Sequence, residues 1–393
     1  MILSFALIML GGLAASWLFR KLQLPGLFGM ILVGILIGPS VLGLIDSSVL
    51  AISADIRKIA LIVILIRAGL SLNLADLKKV GRPAVLMCFV PACFEMLGYV
   101  IAAPIFLGLT YMEAAILGAV IAAVSPAVVV PRMIRLINEG YGTREAVPQL
   151  ILASASVDDV FVIVMFTAFT GLAQGENLSV MSFINIPLSV LTGIAVGALV
   201  GYILTLYFSK IHMRDTMKVI IFLGVSFLMV SFENEFGDAV PFASLIAVMF
   251  SGMMIKLKKE KLAERLSAKY NKIWQCAEVF LFVLLGSAVS IEYLGRAGFK
   301  AAVLILLVLV FRMLGVFVCL IRTKLNSRER LFCMIAYTPK ATVQAAIGGM
   351  PLAMGLACGE TVLACAVIAI MLTAPIGAFF IDLSYKMLLR PNK

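Results

Sequence analysis

The sequence predicts an all-α polytopic membrane protein of about 13 transmembrane helices, built as an inverted repeat with two discontinuous helices. Three observations carry this. Of the 393 residues, 63% are hydrophobic and only 13% charged, with a mean hydropathy of +1.12. Soluble domains carry about 45–50% apolar and about 25% charged residues, so a soluble globular chain is excluded, and so is a disordered one. A spanning helix takes roughly 20 apolar residues, so 13 use about 260 and leave about ten per connection, with no room for a soluble domain. Finally, two of the apolar runs are interrupted by proline and glycine at matching places in the two halves of the chain.

The elements follow in order. Long apolar runs bounded by charge, Gly or Pro place spans at about 2–19, 25–45, 57–73, 83–107, 112–136, 146–172, 182–208, 216–233, 240–256, 273–290, 297–321, 330–354 and 361–385. The first run starts at Ile2 with no basic segment before it, so it reads as a span rather than a cleaved signal. The connections after even-numbered spans hold only Arg57, Lys58, Arg296 and Lys300. Arg67, Arg312 and Lys340 lie inside spans, and every other Lys and Arg falls in, or within about a turn of, the connections after odd-numbered spans or at the C-terminus. The net charge of +11 is therefore a positive-inside bias, not a nucleic-acid signal. It sets the N-terminus outside, the C-terminus in the cytoplasm, and the span number odd.

Two connections stand out. Lys256–Lys272, with Lys258, Lys259, Lys261, Arg265 and Lys269 between its ends, reads as the longest cytoplasmic loop. The favoured reading is a solvated, topology-setting loop rather than a regulatory or lipid-binding one. Phe232–Pro241 carries Glu233, Glu235 and Asp238 and reads as an outward polar turn. The seven Cys lie mostly in apolar runs without metal-ligand spacing and read as small apolar filler.

Spans 5 and 12 contain what a plain helix avoids. Span 5 reads AAVSPAVVVPRM, with Pro126 and Pro131; span 12 reads AYTPKATVQAAIGGMP, with Pro339, Gly348, Gly349 and Pro351. Proline removes an intrahelical hydrogen bond and clashes with the preceding turn, and in lipid the freed carbonyls need another partner. Interrupted helices at corresponding positions of two halves point to a transporter binding site. The two spans are seven apart, so they run in opposite directions, as an inverted repeat of spans 1–6 and 8–13 requires, with span 7 (182–208) as linker helix.

Charges buried in spans cost about 2.5–3.5 kcal/mol each on insertion scales. Glu95 lies mid-span 4, Asp158 and Asp159 mid-span 6, Arg312 mid-span 11, and Lys340 at the break of span 12. Left unpaired they would cost more than about 12 kcal/mol together, so they are expected to be neighbours. Three carboxylates against two bases leave one negative charge, which one monovalent cation or one proton neutralises. That is the electrostatic requirement for Na⁺ and H⁺ to compete at one place. The aspartate pair titrates as a coupled unit. The single histidine, His212, sits in a connection, which argues against a histidine switch. A hard cation takes oxygen ligands; Ser125, Ser154 and Thr342 are candidates, Ser154 lying one turn before Asp158 on the same face. The competing reading, hydroxyls bonded back to their own helix, has equal weight. Arg67 lies near a span end and is expected to snorkel, and Glu278 to make a structural pair.

At these residues the chain resembles a known family. The stretches VSPAVVVPRMIRL, EGYG, ASVDDVFVIVMF and TPKATVQAAIG resemble the NHA branch of the monovalent cation/proton antiporter superfamily, closely from Ser125 to Phe166 and more loosely over most of the chain. The resemblance implies crossing broken helices at spans 5 and 12, a homodimer, and exchange of Na⁺ or Li⁺ for H⁺ by elevator-type alternating access. It implies a scaffold and dimerisation domain of residues 1–73 and 216–290, and a core ion-transport domain of 83–172 and 297–385. Carried over, Asp158 and Asp159 bind the ion and carry the proton, Lys340 is the basic partner at the crossover, and Glu95 and Arg312 form a structural ion pair.

The chain departs from the better-known electrogenic bacterial members twice. They carry Thr-Asp where this chain has Ser125-Pro126, and a lysine where it has Arg312. Arginine does not release a proton at usable pH, so a second proton carried by that lysine has no carrier here.

No cofactor is expected, since Na⁺ or Li⁺ and H⁺ are substrates. The expected setting is a bacterial inner membrane, with lipid as partner, anionic lipid a candidate at the interface between copies, and no nucleic acid. K⁺/H⁺ exchange on the same scaffold is the nearest alternative. A channel is a remote one, since channels rarely bury lysine and arginine beside carboxylates. So is an intramembrane aspartyl protease, which needs aspartates on facing helices and a G-x-G-D signature, neither of them present.

Overall fold

The computed structural model describes residues 1–22, 24–71, 81–174, 180–236 and 240–391, without the side chains of 156, 180–187, 294, 296 and 297. Among them every regular element is a helix, with one isolated bridge, Tyr141 to Pro391. The helices are α1 (Ile2–Lys21), α2 (Gly26–Ile37), α3 (Ser47–Ala51), α4 (Ser53–Ser71), α5 (Arg82–Met87) and α6 (Val90–Leu107). Then come α7 (Tyr111–Ile121), α8 (Pro126–Asn138), α9 (Val147–Gln174), α10 (Val180–Lys210), α11 (Asp215–Phe236) and α12 (Ser244–Lys258). The last are α13 (Glu260–Ser287), α14 (Ile291–Cys319), α15 (Ser327–Ala336), α16 (Thr342–Ile347), α17 (Met350–Ala353) and α18 (Gly359–Leu388).

Eight helical stretches among the described residues are long and apolar enough to cross a membrane: Ile2–Lys21, Arg82–Leu107, Tyr111–Asn138, Val147–Gln174, Leu188–Lys210, Asp215–Phe236, Gly298–Cys319 and Gly359–Leu388. The differences from the sequence expectation have local causes. Span 2 stops at Ile37 rather than about 45, because Gly38 precedes Pro39 and turns extended (φ −70°, ψ 173°). Its 12 residues cover about 18 Å. Span 4 divides at Cys88–Phe89 ahead of Pro91, whose ring cannot continue the preceding turn. Span 12 is in three pieces, α15 to α17, interrupted at Pro339 and at Gly348-Gly349. Span 11 starts earlier, at Ile291, where the Ser290 hydroxyl caps the Tyr293 N–H at 3.3 Å. Glu233 and Glu235 belong to α11 instead of a turn; Asp238 lies outside the described residues.

The basic connection 256–272 is not a loop. α12 runs to Lys258 and α13 starts at Glu260. Leu262, Ala263, Leu266, Tyr270 and Trp274 are buried at helical spacing, so the segment forms an amphipathic turn-by-turn continuation of span 10. The Tyr270 hydroxyl anchors it by donating to Val219 O at 2.9 Å.

The chain divides into two compact units. One comprises Met1–Ala54, Asn73–Phe169 and Leu281–Lys393; the other comprises Asp55–Leu72 and Thr170–Phe280. In the second unit α10 lies along α12 on a seam of small residues. Gly193, Gly197 and Gly201 face Ala243, Ala247 and Ser251, and a Cβ on any of the three glycines would strike the opposing backbone. Close approach of this kind is how membrane helices gain packing without a hydrophobic driving force. The Ser251 hydroxyl donates across the seam to Gly197 O at 3.0 Å. Arg67 and Glu278, both of this unit, lie within electrostatic reach of each other.

In the first unit α6 runs along α14. Gly98 sits against Val308 and Phe311, and Gly315 against Pro91 and Phe94, so the two backbones close on each other. A core of Val129, Met133, Leu136, Ile151, Phe332 and Tyr337 gathers around α8, α9 and α15. Capping boxes start α7 (Thr110 with Glu113) and α15 (Asn326 with Glu329). Each satisfies two of the N–H groups a helix start leaves open.

Candidate ion-binding site

The site is built where two helices stop short. α7 ends at Ile121, residues 122–125 are unwound, and Pro126 restarts the chain as α8. Proline suits that first position because its missing N–H would have no partner there, and it forces the residue before it into an extended form; Ser125 has φ −90° and ψ 110°. α15 ends at Ala336, residues 338–341 are unwound around Pro339, and α16 restarts at Thr342. The two unwound stretches touch: Ser125 N–H donates to Pro339 O at 2.8 Å.

The backbone groups freed by the breaks are taken up by side chains. Arg312 from α14 donates from Nε to Tyr337 O at 2.6 Å and from Nη1 to Ala122 O. Gln344 donates from Nε2 to Ile121 O at 3.0 Å and to Ala123 O at 2.9 Å. Asp158 Oδ2 accepts from Val124 N–H at 2.7 Å. Thr373 Oγ1, on α18, accepts from Lys340 N–H at 2.9 Å and returns its own proton to Ala369 O at 2.7 Å. In lipid an unwound segment persists only with partners of this kind.

The same side chains make the charge network. Arg312 Nη1 lies 2.8 Å from Glu95 Oε2 and Nη2 lies 2.9 Å from Asp158 Oδ2. Lys340 Nζ lies 2.6 Å from Glu95 Oε2. All four groups are buried. Glu95 and Arg312 are paired; Arg312 in addition holds Asp158, and Lys340, in the unwound stretch around Pro339, pairs with Glu95. Asp159 follows Asp158 on α9, is partly buried, and lies within electrostatic reach of Asp158 and Arg312. Glu95 and Asp158 are thus matched by Arg312 and Lys340, and the unmatched charge falls on Asp159.

Several buried oxygens in this network have no hydrogen-bond partner among the described residues: Glu95 Oε1, Asp158 Oδ1, Asp159 Oδ1, Ser125 Oγ, Thr342 Oγ1 and Gln344 Oε1. A buried acceptor left unmatched costs about 1–3 kcal/mol, and carboxylate, hydroxyl and amide oxygens are the ligands hard cations take. The third candidate hydroxyl is different. Ser154 donates back to Leu150 O at 2.7 Å on its own helix.

Gln344, Thr373 and Tyr337 were not among the residues singled out from sequence. Gln344 had a signal, a polar side chain inside an apolar broken span, but it carries no charge. Tyr337 had none: its ring stacks under the Arg312 guanidinium at 5.1 Å and its hydroxyl donates to Met87 O at 3.2 Å.

Comparison with known proteins places the chain in a family. A family model described as sodium/hydrogen exchanger, transmembrane, matches residues 5–382. Sodium/hydrogen exchanger 9B2 of Homo sapiens is 34% identical over 380 residues, covering 92% of this chain and 69% of that protein. Sodium/hydrogen exchanger 9B1 of Homo sapiens is 30% identical over 357 residues, covering 86% and 67%. Among solved structures, the sodium proton antiporter MjNhaP1 from Methanocaldococcus jannaschii at pH 8 superposes with a TM-score of 0.86 over 98% of this chain and 97% of that one, at 21% identity. That last likeness speaks to fold. The chain is a multi-pass membrane protein and belongs to the sodium/hydrogen exchanger family, whose members are transporters.

Proposed function

We propose that the chain is a secondary antiporter exchanging Na⁺, or Li⁺, for H⁺ at Asp158 and Asp159 by elevator-type alternating access. One observation carries the reading. In a buried network of three carboxylates and two bases, the negative charge left over falls on Asp159, beside a second carboxylate with a free oxygen. One bound cation or one proton restores neutrality, so the two exclude each other. With the pair ionised, Na⁺ is taken from the cytoplasm; on the far side protons displace it and return with the carrier.

Asp159 is the essential carboxylate in this scheme and Asp158 its neighbour at the ion. Ser125 and Thr342 are candidate oxygen ligands, each with a buried free hydroxyl oxygen. Ser154 is a third candidate; its hydroxyl donates to Leu150 O on its own helix and keeps its oxygen lone pairs. Lys340 and Arg312 hold Glu95 and the breaks in place. The contact between the unwound stretches supports crossing helices at spans 5 and 12. Glu95, Asp158, Asp159, Arg312 and Lys340 all fall in one compact unit, which supports a site that moves as one body. We assign the core to 83–172 and 297–385, the scaffold and dimer contact to 1–73 and 216–290, and the linker to 182–208, within about 13 spans of a bacterial inner membrane, N-terminus outside and C-terminus cytoplasmic.

The test is a vesicle assay. Purified protein in acid-loaded liposomes with a pH dye is given external Na⁺, Li⁺ or K⁺, with Asp159→Asn alongside. Collapse of the gradient by Na⁺ and Li⁺ in wild type, and none in the variant, is the expected result. A response to K⁺ alone makes the chain a K⁺/H⁺ antiporter on the same scaffold. Wild-type rates in both Asp158→Asn and Asp159→Asn refute the site.

A further inference from the structure

We propose that the second compact unit carries a binding site for a phosphate-bearing anion, at the corner where α12 turns into α13. The observation is a cleft of about 690 Å³ enclosed by the end of α10, the start of α11 and the α12–α13 corner. Lys218, Lys258, Lys259, Lys261 and Arg265 line it against two carboxylates, Asp215 and Glu260.

Both carboxylates are already engaged. Asp215 accepts from Arg265 Nε at 2.9 Å and has Lys218 Nζ at 3.8 Å. Glu260 lies 3.0 Å from Lys256, which also reaches Glu264 at 3.4 Å. Asp215 is therefore shared between two cations, one of them the buried Lys218, which also lies 6.0 Å from the Phe208 ring. Lys258 lies 5.7 Å over the Tyr202 ring, and neither it nor Lys259 nor Lys261 makes an ion pair among the described residues. The cleft thus holds more positive charge than its own acids match.

The backbone adds to this. The chain breaks at Lys259 (φ −143°, ψ 75°), which swings three lysines in four positions around one corner. α11 and α13 both begin at the cleft, so the positive ends of two helix dipoles lie there, with the Met217 and Leu262 N–H groups already bonded to Arg214 O and Lys259 O. Helix starts together with lysines suit a phosphate. Phe208, Ile211, Met213 and Leu262 add apolar side chains to the lining, and the cleft lies at the ends of two long apolar stretches, Leu188–Lys210 and Asp215–Phe236. A phosphate attached to acyl chains matches both surfaces, and a free phosphate matches the first alone.

The experiment uses the full chain in a neutral detergent, titrated calorimetrically with three probes: dihexanoyl phosphatidic acid, dihexanoyl phosphatidylcholine and inorganic phosphate. The expected result is binding of the phosphatidic acid, at least tenfold weaker in Lys258→Gln/Lys259→Gln/Lys261→Gln, and kept within threefold when the three lysines become arginine. Binding should also weaken with salt, as exposed charge pairing does. Inorganic phosphate binding as well as the lipid supports the site with a soluble anion as its ligand; lipid binding alone assigns a headgroup. Equal binding of the two lipids, no binding of either anion, or an unchanged affinity in the glutamine variant with the arginine variant folded, overturns the proposal. None of these readouts involves transport, so failure here leaves the antiport reading intact.

Discussion

Arg312 concentrates much of what holds the site together. Its guanidinium satisfies two carbonyls of the breaks and two carboxylates at once. That uses the planar fork with its five donors, which a lysine ammonium cannot reproduce. Arg312→Lys keeps the charge and loses at least one buried hydrogen bond, so stability should drop by about 1–3 kcal/mol, read as a lower midpoint of thermal unfolding in detergent. Glu95→Gln keeps one acceptor oxygen but removes the negative charge shared by Arg312 and Lys340. Breaking a buried pair costs about 3–5 kcal/mol, and the same melt should show the larger fall. Gln344→Leu leaves Ile121 O and Ala123 O without donors, at about 1–3 kcal/mol each. It should lower both the melting midpoint and the transport rate, whereas Asp159→Asn should remove transport and leave the midpoint near wild type. A Gln344→Leu variant as stable as wild type would show that water, not the amide, closes the α7 end.

At the scale of elements, two physical devices recur: proline where a helix has to stop, glycine where two have to touch. The seam between α10 and α12 sets up a direct comparison. Gly197 meets the backbone of Ala247, while Gly224 on α11 has open space around it. The same change should therefore have opposite outcomes. Gly224→Ala should be neutral or slightly stabilising, since alanine is the better helix former by about 1 kcal/mol; Gly197→Ala should push the helices apart and lower the melting midpoint by several degrees. Most element boundaries were legible because proline and charge act locally. The connection 256–272 misled for a reason also local: its seven bases dominate the charge count, while the apolar stripe of Leu262, Leu266 and Tyr270 beneath them is only one face of a helix.

For the molecule as a whole, the distribution of Lys and Arg predicts orientation. A single reporter cysteine at His212, on a cysteine-free background, should react with a membrane-impermeant maleimide only after right-side-out vesicles are opened. Labelling of sealed vesicles would invert the assigned topology. Glu95, Asp158, Asp159, Arg312 and Lys340 all lie within one of the two compact units.

Composition, hydropathy and proline placement determined that this chain crosses a membrane many times, with two helices broken in opposite halves. Those features act over one or two turns, and lipid tolerates few other solutions. The buried charges also announced a site, because their cost demands partners. Which partners was decided only in three dimensions. Glu95 meets Arg312 and Lys340 across 217 and 245 residues, and Arg312 meets Asp158 across 154. No local pattern could choose between Glu95 and an aspartate for Lys340, or expose Gln344 and Tyr337 as supports of the breaks. Those choices depend on which helix faces lie together, and the long-range packing of glycine seams and broken ends settles that.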